Sequence, residues 1–259
     1  MSIRAIIFDY GQVLCTQNRA AHERLCEITG LDAPEFDRLY WRDRHDYDLG
    51  KLDGREYWAK FARDSHRAFT AEQIDALTQA DVAMWTSINE PMLTWATSLQ
   101  HAGLLTAILS NMGPEVLSTI RQKFAWLANF SQLTWSCELG IAKPDPAIYN
   151  FTCTELGVEP QEAIFIDDNP VNIEAAEKFG LHAIHFVGVD ALRSELAARA
   201  LLQGLPQPGP RTGEDVSTPA SLYSLFSVLC SLFSVLRPAF SKSASALLAP
   251  PRRPRPAGC

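Results

Sequence analysis

The sequence predicts an α/β fold, a doubly wound parallel sheet into which an α-helical domain is inserted. Three observations carry that reading. The chain opens with an apolar run over residues 3–8 that shows no polar alternation, as expected for a strand buried on both faces of a parallel sheet. From Pro91 onward apolar strands alternate with helical stretches, the pattern of βαβ units. Between them, residues 16–90 read as helix throughout, so the sheet is interrupted once, after its first strand.

That first strand ends in Asp9, followed by Tyr10 and Gly11. Open α/β sheets place their ligands at the carboxyl ends of strands, which makes Asp9 the first candidate functional group; the alternative is a turn-forming Asp. In the insert, Asp32-Ala-Pro-Glu35, Asp53-Gly-Arg-Glu56 and Thr70-Ala-Glu-Gln73 each put a capping residue three positions before Glu or Gln, the signature of a helix start. Phe36, Leu39 and Tyr40, then Tyr57, Trp58 and Phe61, then Ile74, Leu77 and Trp85 recur at helical spacing and are expected to form the core of the insert. Arg42, Arg44, His45, Tyr47 and Lys51 cluster around the second of these helices and the loop after it. They either face the site and select its substrate or form a solvated face balanced by Asp43, Asp46 and Asp48.

The core resumes with a helix over 91–101 and a buried strand over 104–109 that ends in Ser110-Asn111. Residues 114–124 read as a helix with proline in its first turn, and 132–135 as a short strand followed by a loop that carries Lys143. A helix over 146–156 is stopped by Gly157, a strand over 163–166 ends in Asp167-Asp168, and a helix over 171–179 is stopped by Gly180. The last strand and helix are expected at 182–187 and from 191 to about 201. The expected domains are thus a core of residues 1–15 and 91–202 and an insert of 16–90. Nine of the sixteen prolines fall in the last 59 residues, beside the tandem heptads SLFSVLC (224–230) and SLFSVLR (231–237). Residues 203–259 are expected to be a low-complexity, disordered tail. Its apolar stretch, 222–236, falls short of the roughly 20 residues that span a bilayer, so no membrane span is expected.

Residues 1–200 carry 17 Lys/Arg against 28 Asp/Glu. So acidic a body argues against nucleic acid as a partner, yet it admits a small anion if a bound cation reverses the local field. The six cysteines (Cys15, Cys26, Cys137, Cys153, Cys230 and Cys259) are dispersed without a CxxC pair and read as reduced thiols of a cytoplasmic protein. His182 and His185 fall on opposite faces of one strand and are not expected to share a metal.

Asp9, Ser110-Asn111, Lys143 and Asp167-Asp168 all fall at one edge of the expected sheet. Together they supply a nucleophilic carboxylate, a hydroxyl donor, a cation and further carboxylates, the set that phosphoryl transfer needs. Carboxylates converging from two strands repel one another, so their convergence implies a hard cation, with Mg²⁺ the expected one.

The segments IIFDYGQVL, AILSNMG, LGIAKPDPAIY and IFIDDNPVNIEAA, in this order, resemble the motifs of the haloacid dehalogenase superfamily of hydrolases, in the form with a helical cap after the first motif. The resemblance covers residues 1 to about 200. It implies a Rossmann-like sheet and a Mg²⁺-dependent phosphatase acting on a small phosphorylated metabolite, either a phosphomonoester or a sugar phosphate. By it, Asp9 is the nucleophile that forms an aspartyl-phosphate and also touches the metal. Ser110, helped by the Asn111 backbone, and Lys143 hold the phosphoryl group, while Asp168, Asp167 directly or through water, and the Gly11 carbonyl complete the metal site. Asn169-Pro170 is itself a good helix cap and first helical position, which leaves open whether one of the two Asp residues caps instead. Both reach one ion only if the chain bends there.

The departure from the family lies at Gly11. Phosphatases of the family usually carry a second Asp there for general acid–base help, typically worth about 10²–10⁴ in rate; this chain resembles a branch that has glycine. Two alternatives therefore stand beside the phosphatase. One is a 2-haloacid dehalogenase-type hydrolase, which also lacks the second Asp but works without metal. The other is a catalytically weakened binding or regulatory protein on the same scaffold.

Overall fold

The structure is a computed structural model that describes residues 2–209. Strand β1 (Ala5–Phe8) is followed by a two-residue strand β2 (Cys15–Thr16), then by helices α1 (Arg19–Thr29), α2 (Ala33–Arg42), α3 (Arg44–Asp48), α4 (Gly54–Asp64) and α5 (Ala71–Met84), and by strand β3 (Ser87–Ile88). The chain continues through α6 (Glu90–His101), β4 (Leu105–Ser110), α7 (Pro114–Lys123), β5 (Gln132–Trp135) and α8 (Ser136–Leu139). It closes with α9 (Pro146–Leu156), β6 (Ala163–Asp167), α10 (Pro170–Phe179), β7 (His182–His185) and α11 (Val189–Ala198).

The main sheet has the order β5–β4–β1–β6–β7 and is parallel throughout. All four residues of β1 are fully buried, because the strand is central and helices cover both faces. Ile6 and Phe8 point into the cluster that includes Trp95 and Leu99 of α6, whereas Ala5 and Ile7 point into the one built from α9 and α10. Burial of each such Ile or Phe contributes about 1.5–3 kcal/mol. Phe8 stands opposite Ile108 of β4 on one side and Ile166 of β6 on the other. The Asp9 N–H donates to the Ile166 carbonyl at 2.8 Å, which carries the ladder one residue further and fixes Asp9 at the carboxyl edge, where Ser110 and Asp167 also end their strands.

Residues 16–90 are not helical throughout, as the sequence had suggested. Their ends form an antiparallel ribbon, with Cys15 opposite Ile88 and Thr16 opposite Ser87, and Asn89 Nδ2 bonds the Val13 carbonyl at 2.9 Å. Two-residue strands carry too little periodicity to read in advance. Within the insert, Asp53 and Thr70 form complete capping boxes, while Asp32 only accepts from the Glu35 N–H. Phe36, Tyr40, Tyr57, Trp58 and Phe61 are at most 1% exposed and pack ring against ring. The insert meets the core through close backbone approaches. A Cβ on Gly113 would lie 1.9 Å from the Tyr47 ring, and Gly50, at φ +68°, lies against the Cys137 carbonyl.

Arg44 belongs to neither a solvated face nor a free surface. It is 5% exposed, with Nη1 at 2.9 and 3.0 Å from the two Asp81 oxygens and Nε at 3.1 Å from Asp48 Oδ1. Its guanidinium lies over the Tyr40 and Tyr47 rings, and the Tyr40 hydroxyl donates to Asp81 at 2.6 Å. Arg42 and Lys51 pair with neighbouring carboxylates on the surface.

The chain stays packed on the body past residue 202. Leu202 is buried, Trp95 Nε1 donates to the Pro206 carbonyl at 2.9 Å, and Arg193 Nε donates to that of Pro208 at 2.7 Å. The tandem heptads lie outside the described residues. Among the described residues no helix is long and apolar enough to cross a membrane. Replacing Asp81 by Ala leaves Arg44 and Tyr40 facing a lost buried acceptor, so Asp81→Ala is expected to cost about 3–5 kcal/mol, read as a lower urea midpoint at unchanged slope.

Candidate active site

Three loops at the carboxyl edge of the sheet meet around one ammonium group. Lys143 Nζ donates to Asp167 Oδ2 at 2.6 Å and stands 3.0 Å from Asp9 Oδ1. All three residues are at most 7% exposed. Asn111, one residue beyond β4, holds the backbone of Lys143 in both directions, accepting its N–H at 2.8 Å and donating to its carbonyl at 2.9 Å. Asp9 Oδ1 also accepts from the Tyr10 N–H at 2.6 Å. Ser110, 2% exposed, closes β4 and lines the same cavity as Asp9 and Lys143.

Both oxygens of Asp167 are engaged. Oδ1 accepts from the Asn169 N–H and from Asn172 Nδ2 at 2.8 and 3.0 Å, and Oδ2 takes Lys143. Asn172 lies in the first turn of α10, with its own carbonyl accepting from the Tyr149 hydroxyl at 3.0 Å. The backbone bends at Asp168, immediately after β6 ends. That bend turns its carboxylate toward the other two, so ligand atoms of Asp9, Asp167 and Asp168 lie within 4.8 Å of one another. The helix cap is Asn169, which accepts from the Val171 N–H, so neither Asp is needed for capping. His182 and His185 go to different carbonyls, those of Gln161 and Asp168.

The charges do not balance. Three carboxylates face the single ammonium of Lys143, and the Asp9 carboxyl is pushed up to about 7 by burial first, with Asp167 and Asp168 adding to the rise and Lys143 opposing it. Burial and Asp167 likewise raise Asp168. Burial works against the charge on Lys143, but Asp167 and Asp9 outweigh it and hold the ammonium above its ordinary range. A divalent cation would favour the ionised forms of Asp9 and Asp168, and a set of hard oxygen donors fits Mg²⁺ in type.

A family model described as haloacid dehalogenase-like hydrolase matches residues 3–180. The chain belongs to that family. Among curated proteins it is 31% identical to "(S)-2-haloacid dehalogenase 1" of Pseudomonas sp. (strain CBS-3), over 70% of this chain and 83% of the relative. It is 32% identical to mouse "Bifunctional epoxide hydrolase 2" over 51% of this chain, a match that spans 25% of the mouse protein. A family enzyme of Bacteroides thetaiotaomicron, bt-2542, solved in complex with magnesium and inorganic phosphate, superposes with a TM-score of 0.59 at 18% identity, over 83% of this chain and 98% of that one. This last likeness shows the shared fold.

In this haloacid dehalogenase-like hydrolase the edge of the sheet forms the floor of a cavity of about 490 Å³. The insert supplies the opposite wall with Trp41, Arg44, His45, Asp48 and Trp85. Of the five insert residues singled out in the sequence, Arg44 and His45 reach this wall; Arg42, Tyr47 and Lys51 do not. Gly11 sits under Trp85, whose Cζ3 would be 3.5 Å from a Cβ at that position. Trp85 is held there by its carbonyl, which accepts from the Tyr10 hydroxyl at 3.0 Å, and by its Nε1, which donates to the Tyr40 hydroxyl at 3.1 Å. Helical spacing assigns Trp85 to the core alone, and nothing in the motifs singles out Asn172. The signal for Asn172 was a polar side chain in a helix's first turn, just past a strand-end carboxylate.

Lys143→Ala is expected to destabilise the fold by about 3–5 kcal/mol, because Asp9 and Asp167 stay buried without their cation. Chemical denaturation monitored by tryptophan fluorescence measures it.

Proposed function

We propose that the chain is a Mg²⁺-dependent phosphatase that hydrolyses a small phosphomonoester or sugar phosphate through an aspartyl-phosphate on Asp9. The observation that carries this reading is the convergence of Asp9, Asp167 and Asp168 around a single lysine. Such a site calls for added positive charge and suits a phosphate that arrives with a cation. The bt-2542 structure, which holds magnesium and phosphate on the same fold, supports it. Asp9, Asp168 and the Gly11 carbonyl, with Asp167 directly or through water, would hold the ion, which when bound offsets carboxylate charge and polarises the phosphoryl oxygens.

Asp9 Oδ1 is occupied by the Tyr10 N–H and Lys143, which leaves Oδ2 to attack phosphorus. The Ser110 hydroxyl and the Lys143 ammonium bind the equatorial oxygens, where charge gathers as the bond to the leaving oxygen lengthens. Asn111 positions Lys143 and the Asn111 backbone adds a donor. Asn172 keeps Asp167 turned toward Lys143, so that the ammonium is shared between Asp167 and Asp9. Water then releases phosphate from Asp9.

The second reading, a 2-haloacid dehalogenase-type hydrolase, is favoured by the likeness to the Pseudomonas enzyme. Against it, three carboxylates would repel a carboxylate substrate unless a cation intervened.

Asp9→Asn is expected to reduce phosphate release from a panel of phosphate esters to background while the protein stays folded. Chelation of divalent ions should stop the same reaction, and added Mg²⁺ should restore it. Chloride release from 2-chloropropionate in the presence of chelator, with no phosphate release under any condition, would reverse the assignment. Asn172→Ala is expected to weaken Mg²⁺ activation by about 10–100-fold, seen as a shift of the half-saturating Mg²⁺ concentration.

A further inference from the structure

A phosphatase with glycine at position 11 has a proton to find, and the insert supplies a place to find it. An alkyl leaving group departs as an alkoxide and needs a proton, and the water that follows must lose one. Nothing at position 11 can serve, because the wall there is the Trp85 indole ring. Among the other titratable groups lining the cavity, the buried Tyr10 hydroxyl is committed to the Trp85 carbonyl, Lys143 is locked between Asp9 and Asp167, Asp168 belongs to the acidic cluster, and Arg44 stays charged against Asp81. His45 and Asp48 remain.

His45 is exposed. Asp48 is fixed. Its side chain is 14% exposed, Oδ1 rests 3.1 Å from Arg44 Nε, and its carbonyl accepts from Ser136 Oγ at 2.5 Å. Ser136 Oγ in turn accepts from the Met112 N–H at 2.9 Å. Met112 lies two residues past Ser110, so Asp48 is tied by consecutive hydrogen bonds to the loop that presents the phosphoryl-binding edge. The Arg44 that orients it is itself anchored by Asp81 and Tyr40 in the core of the insert.

We infer that the Asp48 carboxyl, carried on the insert, is the general acid and base of this site, in the role that Gly11 leaves open. The inference rests on the phosphatase reading. In the first step Asp9 Oδ2 forms a bond to phosphorus, the bond from phosphorus to the ester oxygen breaks, and that oxygen takes the Asp48 proton to leave as alcohol. In the second step water attacks phosphorus, gives its proton to the Asp48 carboxylate and breaks the bond to Asp9; phosphate leaves and both side chains return to their starting state. One group serves both steps because the leaving oxygen and the entering water occupy the same apical position. Burial pushes Asp48 up to about 6, against the pull of Arg44 and with Asp81 adding to the rise, which places it in the range useful for both transfers near neutral pH.

The test compares two esters in the full chain with Mg²⁺: glycerol phosphate, whose leaving group needs a proton, and p-nitrophenyl phosphate, whose phenolate leaves without one. Asp48→Asn keeps an acceptor for Arg44 but has no proton to give. It is expected to lower single-turnover cleavage of glycerol phosphate relative to that of the nitrophenyl ester by about 10²–10⁴-fold, and to leave a burst of nitrophenolate followed by slow turnover. Asp48→Glu should recover part of the ratio. Equal losses on both esters with Asp48→Asn, no loss on either, or the selective loss appearing in His45→Asn instead would overturn the assignment while the phosphatase reading stands. A wild-type chain that cleaves neither ester overturns both.

Discussion

One ammonium group shared between two buried carboxylates is the constraint on which the site depends. Lys143 comes from a loop, Asp9 from the end of the central strand and Asp167 from its neighbour, and each would be costly to bury alone. The pairing is possible because Asn111 grips the Lys143 backbone from the end of β4 and Asn172 braces Asp167 from the first turn of α10. Four secondary-structure elements thereby settle into one register at the carboxyl edge of the sheet. The geometry also leaves a remainder. Lys143 can neutralise one carboxylate but not three, so the ionised forms of Asp9 and Asp168 are disfavoured in the absence of a further cation.

The insert solves a second electrostatic problem in its own interior. Arg44 and Asp81 are both buried, and such a pair is stable only with good geometry and further hydrogen bonds. Tyr40, Asp48 and the flanking tyrosine rings provide them. The consequence reaches the active edge, because the Tyr40 hydroxyl also takes Trp85 Nε1, and Trp85 covers Gly11. A glycine in the core and a tryptophan in the insert are thus two halves of one packing arrangement. The same network orients Asp48 on the cavity wall, so the residues that stabilise the insert also shape the surface it turns toward the site.

Much of the arrangement was legible in the sequence. Unalternating apolar strands predicted a sheet covered on both faces, and the caps at Asp32, Asp53 and Thr70 marked their helices. The ends of strands predicted where Asp9, Ser110, Asp167 and Asp168 would gather. Less visible were the ribbon of β2 and β3, too short to show a period, and the fate of the charged run at 42–51. A run of alternating Arg and Asp reads the same whether it faces water or closes on itself, since the pattern records which charges are present and not which helix packs above them.

The sequence by itself determined the order of the elements, the strand ends that carry carboxylates, and the glycine that breaks the expected pair at positions 9 and 11. Those features are local, set by residue type and spacing. Tertiary structure alone decided that Asp167 spends both oxygens on Lys143, Asn169 and Asn172 while Asp168 stays open. It also decided that Trp85 rather than solvent lies over Gly11, and that Arg44 turns inward to hold Asp48. The deciding partners are distant in the chain, Lys143 lying 24 residues from Asp167, Asp81 lying 37 from Arg44 and Tyr10 lying 75 from Trp85, and no local pattern encodes a contact that only the packing of separate elements creates.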